Sequence, residues 1–401
     1  MLDQEIENLT EKISSKTLEK INNLNFIDSK ENRIKTLNQL KDQLQNNSSI
    51  LSLKNFFKLT KTQKNYGEVY LMRDLEVESK VKEKLSLKQN YNNLLQSYKD
   101  YDNSLEWVEW PQHYAVRLLA GNGPFSTGKN IFAFFPEALG LIAQKNSDVI
   151  GLEFIDSWFN VFKNVVYPCV QKTFSVDTQF NIYQNLMTKT DFTVYLASVF
   201  HEIGHRCGPW KVSPRSNSKI KINAHHWGIL GEISTDSLLV QKLEEYPEIA
   251  LFVTLQRLFW FGRRGYNNNP INGMLNEDND SWLGAYLWEK LKKVEAIKIN
   301  RFNKWELFPS KLTLVFKQIT DEIDQLSDSV LKTDEAFQQN LIIENWMKNQ
   351  VEWNSTLGYI LPSDLQIIFE ECYSIPEVPS LNPLFSLSDF RDLSNKIITK
   401  I

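Results

Sequence analysis

The chain has 401 residues, a formal net charge of −4, 42% hydrophobic and 23% charged residues. It is long enough to bury a sizeable core in two or three structural units, and its slightly acidic balance gives no global attraction to nucleic acid. No run of about 18 apolar residues could span a bilayer, and three widely spaced cysteines, Cys169, Cys207 and Cys372, argue against a disulfide framework or a Cys-rich zinc finger.

The N-terminus, MLDQEIENLTEKISSK, is polar and acidic and lacks the basic and apolar regions of a secretory signal, so a cytoplasmic location is expected. Residues 1–105 are rich in Lys, Asn, Gln, Glu and Leu, with apolar residues recurring every three or four positions, which predicts a helical N-terminal region. The composition shifts at Leu105-Glu106-Trp107-Val108-Glu109-Trp110-Pro111, where aromatics and turn residues begin. Within the central region, 106–300, the stretch GNGPFSTGKNIFAFFP from Gly121 to Pro136 reads as a loop followed by a short strand. Helical patterns dominate from about 150 to 260, and a Gly/Asn-rich loop is expected from Gly262 to Asp280. The C-terminal region, 301–401, returns to amphipathic helix. The expected fold is α+β and predominantly α-helical, with one small sheet and metal-bearing helices between helical flanks.

Chemistry concentrates in one segment. The chain has five histidines, and His201, His205, His225 and His226 fall within 26 consecutive residues. The first pair lies in DFTVYLASVFHEIGHRCGPW, which Thr190 or Asp191 can cap and Gly208-Pro209 should end, so HEIGH occupies the last turns of a helix. A spacing of four puts both imidazoles on one face, where they can bind a single ion, while Glu202 can reach a metal-bound water as general base. A third protein ligand is needed, and Glu232 in GILGEISTDSLL is the candidate. Asp236, one turn later on the same face, can accept a hydrogen bond from a ligating histidine and fix its tautomer.

HExxH followed on a later helix by ExxxD resembles the gluzincin, thermolysin-like metallopeptidases, over roughly residues 190–245. The resemblance implies a zincin-like site in which His201, His205 and Glu232 hold one Zn2+, Glu202 is the base and Asp236 supports a ligand. No histidine follows His226 to stabilise a tetrahedral oxyanion as in thermolysin-like enzymes. His225, His226, Tyr266, Tyr286 or Tyr359 could take that place. HEIGHRCGPWK also follows the metzincin pattern up to Lys211, where a protonated lysine replaces the last ligand.

Other features carry less. Gly123–Asn130 has phosphate-loop spacing but Asn130 where a Ser or Thr is required, and no helix follows. Arg257, Arg263 and Arg264 could clamp a substrate carboxylate or phosphate, or form ordinary salt bridges. Asn276–Asp280 resembles a calcium loop in composition only and reads as a helix cap. His113 reads as a structural histidine.

The sequence therefore predicts a zinc-dependent hydrolase cleaving an amide or peptide bond in a small peptide or amide-bearing small molecule, with no nucleic-acid or membrane partner. Two His and one carboxylate also make the triad of non-haem Fe2+ oxygenases, and an inactive metal-containing binding protein is a third reading.

Overall fold

The computed structural model describes residues 56–61, 67–88, 90–105, 113–121, 133–134, 151–212, 219–268 and 279–376. The chain divides into two compact units, one drawn from Met1–Ser79, Pro111–Trp158 and Pro379–Ile401, the other from Lys80–Trp110 and Phe159–Val378.

The first unit contains a five-stranded sheet. Its strands are β1 (Phe56–Lys61), β2 (Gly67–Arg73), β3 (His113–Gly121), β4 (Ala133–Phe134) and β5 (Gly151–Phe154), in the spatial order β1-β2-β3-β5-β4. Only β3 and β5 pair in parallel, with His113 opposite Gly151 and Val116 opposite Phe154. Ala115, Val116, Leu152 and Phe154 are buried from this central pair. His113 is buried beside them, its Nε2 3.2 Å from Glu153 Oε2, so the histidine read as structural sits on a carboxylate inside the sheet.

Two expectations change here. β1 and β2 fall inside the stretch expected to be helical, because FFKLTK and GEVYLMR are rich in the aromatic and apolar residues that suit an extended pair. The described residues also form three sheets rather than one. The strand expected within NIFAFFPE is β4; the phosphate-loop-like Gly123–Asn130 lies outside the described residues.

The second unit is helical, with two short hairpins, Ile297–Ile299 with Trp305–Leu307 and Trp353–Asn354 with Gly358–Tyr359. Helices α1 (Thr190–Gly204) and α2 (Ala224–Lys242) carry the spaced donors described above, and α2 packs against α1, α4 (Asn279–Lys293) and α5 (Leu312–Val330). Leu312, Val315, Phe316, Ile319, Ile323, Leu326 and Val330 form one buried stripe along α5 at three- and four-residue intervals. Each such side chain contributes roughly 1.5–3 kcal/mol on burial. α2 differs, being buried on almost every side: Ser234, Thr235, Asp236 and Ser237 are buried together with Ile229, Leu230, Ile233, Leu238 and Leu239. A helix enclosed on all sides has no solvated face for its polar residues, so those residues must find partners inside the unit.

After α2 come α3 (Pro247–Gln256) and a π-helical turn, Arg257–Gly262. Gly262 and Gly284 let α4 approach this turn closely: a Cβ on Gly284 would lie 2.8 Å from Gly262 Cα and 2.9 Å from the Arg257 carbonyl oxygen. The segment expected as a loop from Gly262 to Asp280 contains the short helix Arg263–Asn268 and the start of α4, while 269–278 lie outside the described residues. Among the described residues no helix is long and apolar enough to cross a membrane.

Candidate metal centre

HEIGH occupies the C-terminal end of α1. The helix starts from Lys189 directly out of a preceding 3-10 turn, so neither Thr190 nor Asp191 caps it; the Thr190 hydroxyl instead donates to the Leu186 and Met187 carbonyls. Its apolar side, including Val194, Leu196, Val199, Phe200 and Ile203, is buried, which fixes the rotation of the helix about its axis. His201 and His205 are half-buried on another face. The chain leaves through Gly208 at φ +76°, a conformation that favours glycine, and Gly208 N–H donates to Asp102 Oδ2 at 2.8 Å.

α2 begins at Asn223, whose side chain accepts from His226 N–H at 2.8 Å. It passes α1 closely: a Cβ on Gly204 would lie 2.9 Å from Thr235 Cγ2. This contact sets Glu232, Thr235 and Asp236, at successive helical spacings of three and four, against the two histidines.

The resulting geometry is convergent. One donor atom from each of His201, His205 and Glu232 lies within 4.8 Å of the others. His201 Nε2 is 3.6 Å from Glu232 Oε2, and His205 Nε2 is 3.6 Å from Glu232 Oε1. The opposite ring nitrogens are also engaged, His201 Nδ1 at 3.2 Å from Asp236 Oδ1 and His205 Nδ1 at 3.1 Å from Thr235 Oγ1. Both imidazoles thus turn Nε2 toward the glutamate while Nδ1 rests on a residue of α2, as metal-ligating histidines do. The donor set, two imidazoles and one carboxylate at this separation, fits a single divalent ion and makes the cluster able to hold a metal.

Charge supports the same fit. Arg257, buried at 3% side-chain exposure, donates from Nε to Asp236 Oδ2 (2.6 Å), from Nη2 to Glu232 Oε2 (2.7 Å) and from Nη1 to Asp280 Oδ1 (2.6 Å). Arg264 Nη2 donates to Asp280 Oδ2 at 2.9 Å. Burial alone would lower the pKa of His201, but the adjacent carboxylates of Asp236 and Glu232 overcome it and raise it to about 10. His205 moves the other way, pushed down by burial and by the neighbouring His201 charge. Burial would raise Glu232, yet His201, His205 and Arg257 hold it well below the usual carboxylate range. Asp236 is lowered against the same penalty, chiefly by Arg257 and then His201. A proton on His201 thereby offsets part of the negative charge that a cation would otherwise meet.

Glu202 is half-buried next to the first histidine, and its charge reaches His205. The other candidates have contacts of their own. His226 is buried with Nδ1 2.9 Å from Asn340 Oδ1, and His225 is beside it at the start of α2. Tyr286 is buried with its hydroxyl 3.4 Å from Glu322 Oε1; Tyr266 donates to Glu370 Oε1 at 3.4 Å. Tyr359 lies in a hairpin beside Trp282. Arg263 is buried and donates to the Cys372 and Ile375 carbonyls at 2.8 and 3.1 Å. Among the described residues neither His225 nor His226 joins the His201, His205 and Glu232 donor group. Asn276, Glu277 and Asp278 lie outside the described residues, and Asp280 binds Arg257 and Arg264.

Thr235 and Asp280 are the site residues that the sequence reading did not assign. Thr235 was within reach of the periodicity that found Asp236, since positions three and four after Glu232 both share its face. Asp280 belongs to a distant helix, and nothing in its own segment connects it to the histidines.

No protein-family model matches the chain. No curated protein matches it either. Among solved structures, dipeptidyl-peptidase III from Corallococcus sp. strain EGB is similar with a TM-score of 0.51 and 11% identity, over 91% of this chain and 67% of that one. The fold resembles that of a dipeptidyl-peptidase III. The protein of the same name from Caldithrix abyssi aligns with a TM-score of 0.49 and 11% identity, over 79% of this chain and 56% of that one. The chain thus spans little more than half the length of the Caldithrix protein.

Proposed function

We propose that the chain is a zinc-dependent hydrolase of amide or peptide bonds, acting on small peptides or amide-bearing molecules in the cytoplasm. The observation that carries this reading is the convergence of His201, His205 and Glu232 to within 4.8 Å, with Glu202 adjacent to the first ligand. The fold likeness to a dipeptidyl-peptidase III supports a peptide substrate. The three free, buried cysteines suit a reducing compartment.

His201, His205 and Glu232 would hold the metal, which when bound polarises the scissile carbonyl and makes a water acidic enough to lose a proton near neutral pH. Asp236 and Thr235 fix the two imidazoles through Nδ1, so that both Nε2 atoms stay directed at the site. Glu202 takes the proton of the attacking water and returns it to the leaving amine, which balances the hydrolysis without a second acid. The iron-oxygenase reading would leave Glu202 without a task, whereas hydrolysis uses it.

Elemental analysis of protein purified without added metal, followed by a screen of short peptides and amides, tests this. About one zinc per chain and a hydrolysis that Glu202→Gln abolishes while zinc remains is the expected result. Iron in place of zinc would favour the oxygenase, and the absence of any stoichiometric metal would remove the basis of the assignment.

A further inference from the structure

Among the described residues Arg257 is the one guanidinium that touches the candidate ligand set, and the proposed hydrolase function does not by itself give it a role. It sits at the first position of the π-helical turn that follows α3. Such turns place side chains that a regular helix would direct elsewhere, and they recur at functional sites. Its three hydrogen bonds, at 2.6, 2.7 and 2.6 Å, go to three different carboxylates on two helices.

We infer that Arg257 is the positioning residue of the metal centre, fixing two of its three ligands at once. This inference rests on the reading of His201, His205 and Glu232 as metal ligands. Glu232 is fixed directly: Arg257 takes Oε2, leaving Oε1, 3.6 Å from His205 Nε2, as the oxygen with freedom to meet a cation. His201 is fixed through Asp236, whose Oδ2 accepts from Arg257 Nε while Oδ1 faces His201 Nδ1 at 3.2 Å. Asp280 and Arg264 anchor the far side of the guanidinium, and the Gly262/Gly284 contact brings their helices close enough to do so. A planar fork of donors can orient two carboxylates relative to each other. The compact ammonium of lysine supplies the charge without that geometry.

The distinction between charge and geometry makes the inference testable. Arg257→Lys, Asp280→Asn and the wild-type protein are compared by chelator-competition measurement of Zn2+ affinity, by the Co2+ electronic absorption spectrum of the substituted site, and by thermal unfolding. Arg257→Lys is expected to weaken Zn2+ binding roughly 10- to 100-fold and to alter the Co2+ spectrum. Asp280→Asn, which loosens Arg257 without touching a ligand, is expected to shift both in the same direction by less, under about 10-fold. If Arg257→Lys does not fold, Asp280→Asn decides alone. Folded variants with wild-type Zn2+ affinity and an unchanged Co2+ spectrum would overturn the positioning role, leaving Arg257 as a charge balance for the core. A wild-type protein that takes up no Zn2+ or Co2+ would instead overturn the metal centre itself.

Discussion

Among the described residues two histidine–carboxylate pairs have the same length, and they differ in burial and in their neighbours. In the sheet of the first unit His113 Nε2 lies 3.2 Å from Glu153 Oε2, and the Trp158 indole N–H also donates to Glu153. In the helical unit His201 Nδ1 lies 3.2 Å from Asp236 Oδ1. His113 belongs to no group of three ligand-type side chains among the described residues, whereas the other nitrogen of His201 points at Glu232, with His205 Nε2 converging on the same carboxylate. A histidine held by a carboxylate is therefore not diagnostic. What sets the His201 pair apart is the convergence of Glu232 and His205 beside its other ring nitrogen.

That contrast can be broken in order of effect. Glu202→Gln should lower turnover by about 10²- to 10⁴-fold with the metal retained, measured by peptide hydrolysis beside elemental analysis; undiminished turnover would exclude Glu202 as the base. His201→Ala and Glu232→Ala should each lose the single metal, whereas His113→Ala should keep it. A loss of metal in His113→Ala would erase the distinction between the pairs. The same His113→Ala removes one buried partner of Glu153, which keeps the Trp158 N–H, and should lower stability by about 1 to 3 kcal/mol in denaturant unfolding. Gly204→Ala forces a methyl group to 2.9 Å from Thr235 Cγ2 and should cost about 1 to 3 kcal/mol, with metal affinity falling because Thr235 holds His205.

The smallest effect is in protons. His201, raised to about 10 in the metal-free protein, carries a proton at pH 7 that a metal on Nε2 must displace. Calorimetric titration with Zn2+ in buffers of different ionisation enthalpy should show release of about one proton per ion at pH 7. The sign for the metal-free protein follows from the raised value: its contribution to stability is full below about 6.5, the ordinary histidine value, and is lost as pH rises through about 10. Proton release near zero would mean that His201 is neutral before the metal arrives.

HEIGH and the EISTD segment could be read directly because both are helical, and on a helix a spacing of three or four is itself a statement about position. The pairing of His201 with His205 and of Glu232 with Asp236 follows from that rule, while Glu202 and the link between the two pairs came from the HExxH and ExxxD pattern. β1 and β2 were hidden because short strands of mixed polarity do not show a clean period against a Lys/Asn-rich background. Nothing local to α2 shows that Ser234, Thr235, Asp236 and Ser237 are all enclosed, since burial is set by the neighbours α1, α4 and α5.

By itself the sequence determined the predominantly helical α+β class, the absence of a bilayer-spanning stretch and the local faces that carry the donors. Only the tertiary structure decided that those faces meet, that Gly204 lets α1 and α2 approach so closely, and that Arg257 and Asp280 close the site. The reason is physical: local periodicity fixes where a side chain points from its own helix, while convergence of donors depends on how helices far apart in sequence pack, and that is set by buried surfaces distributed along the whole unit.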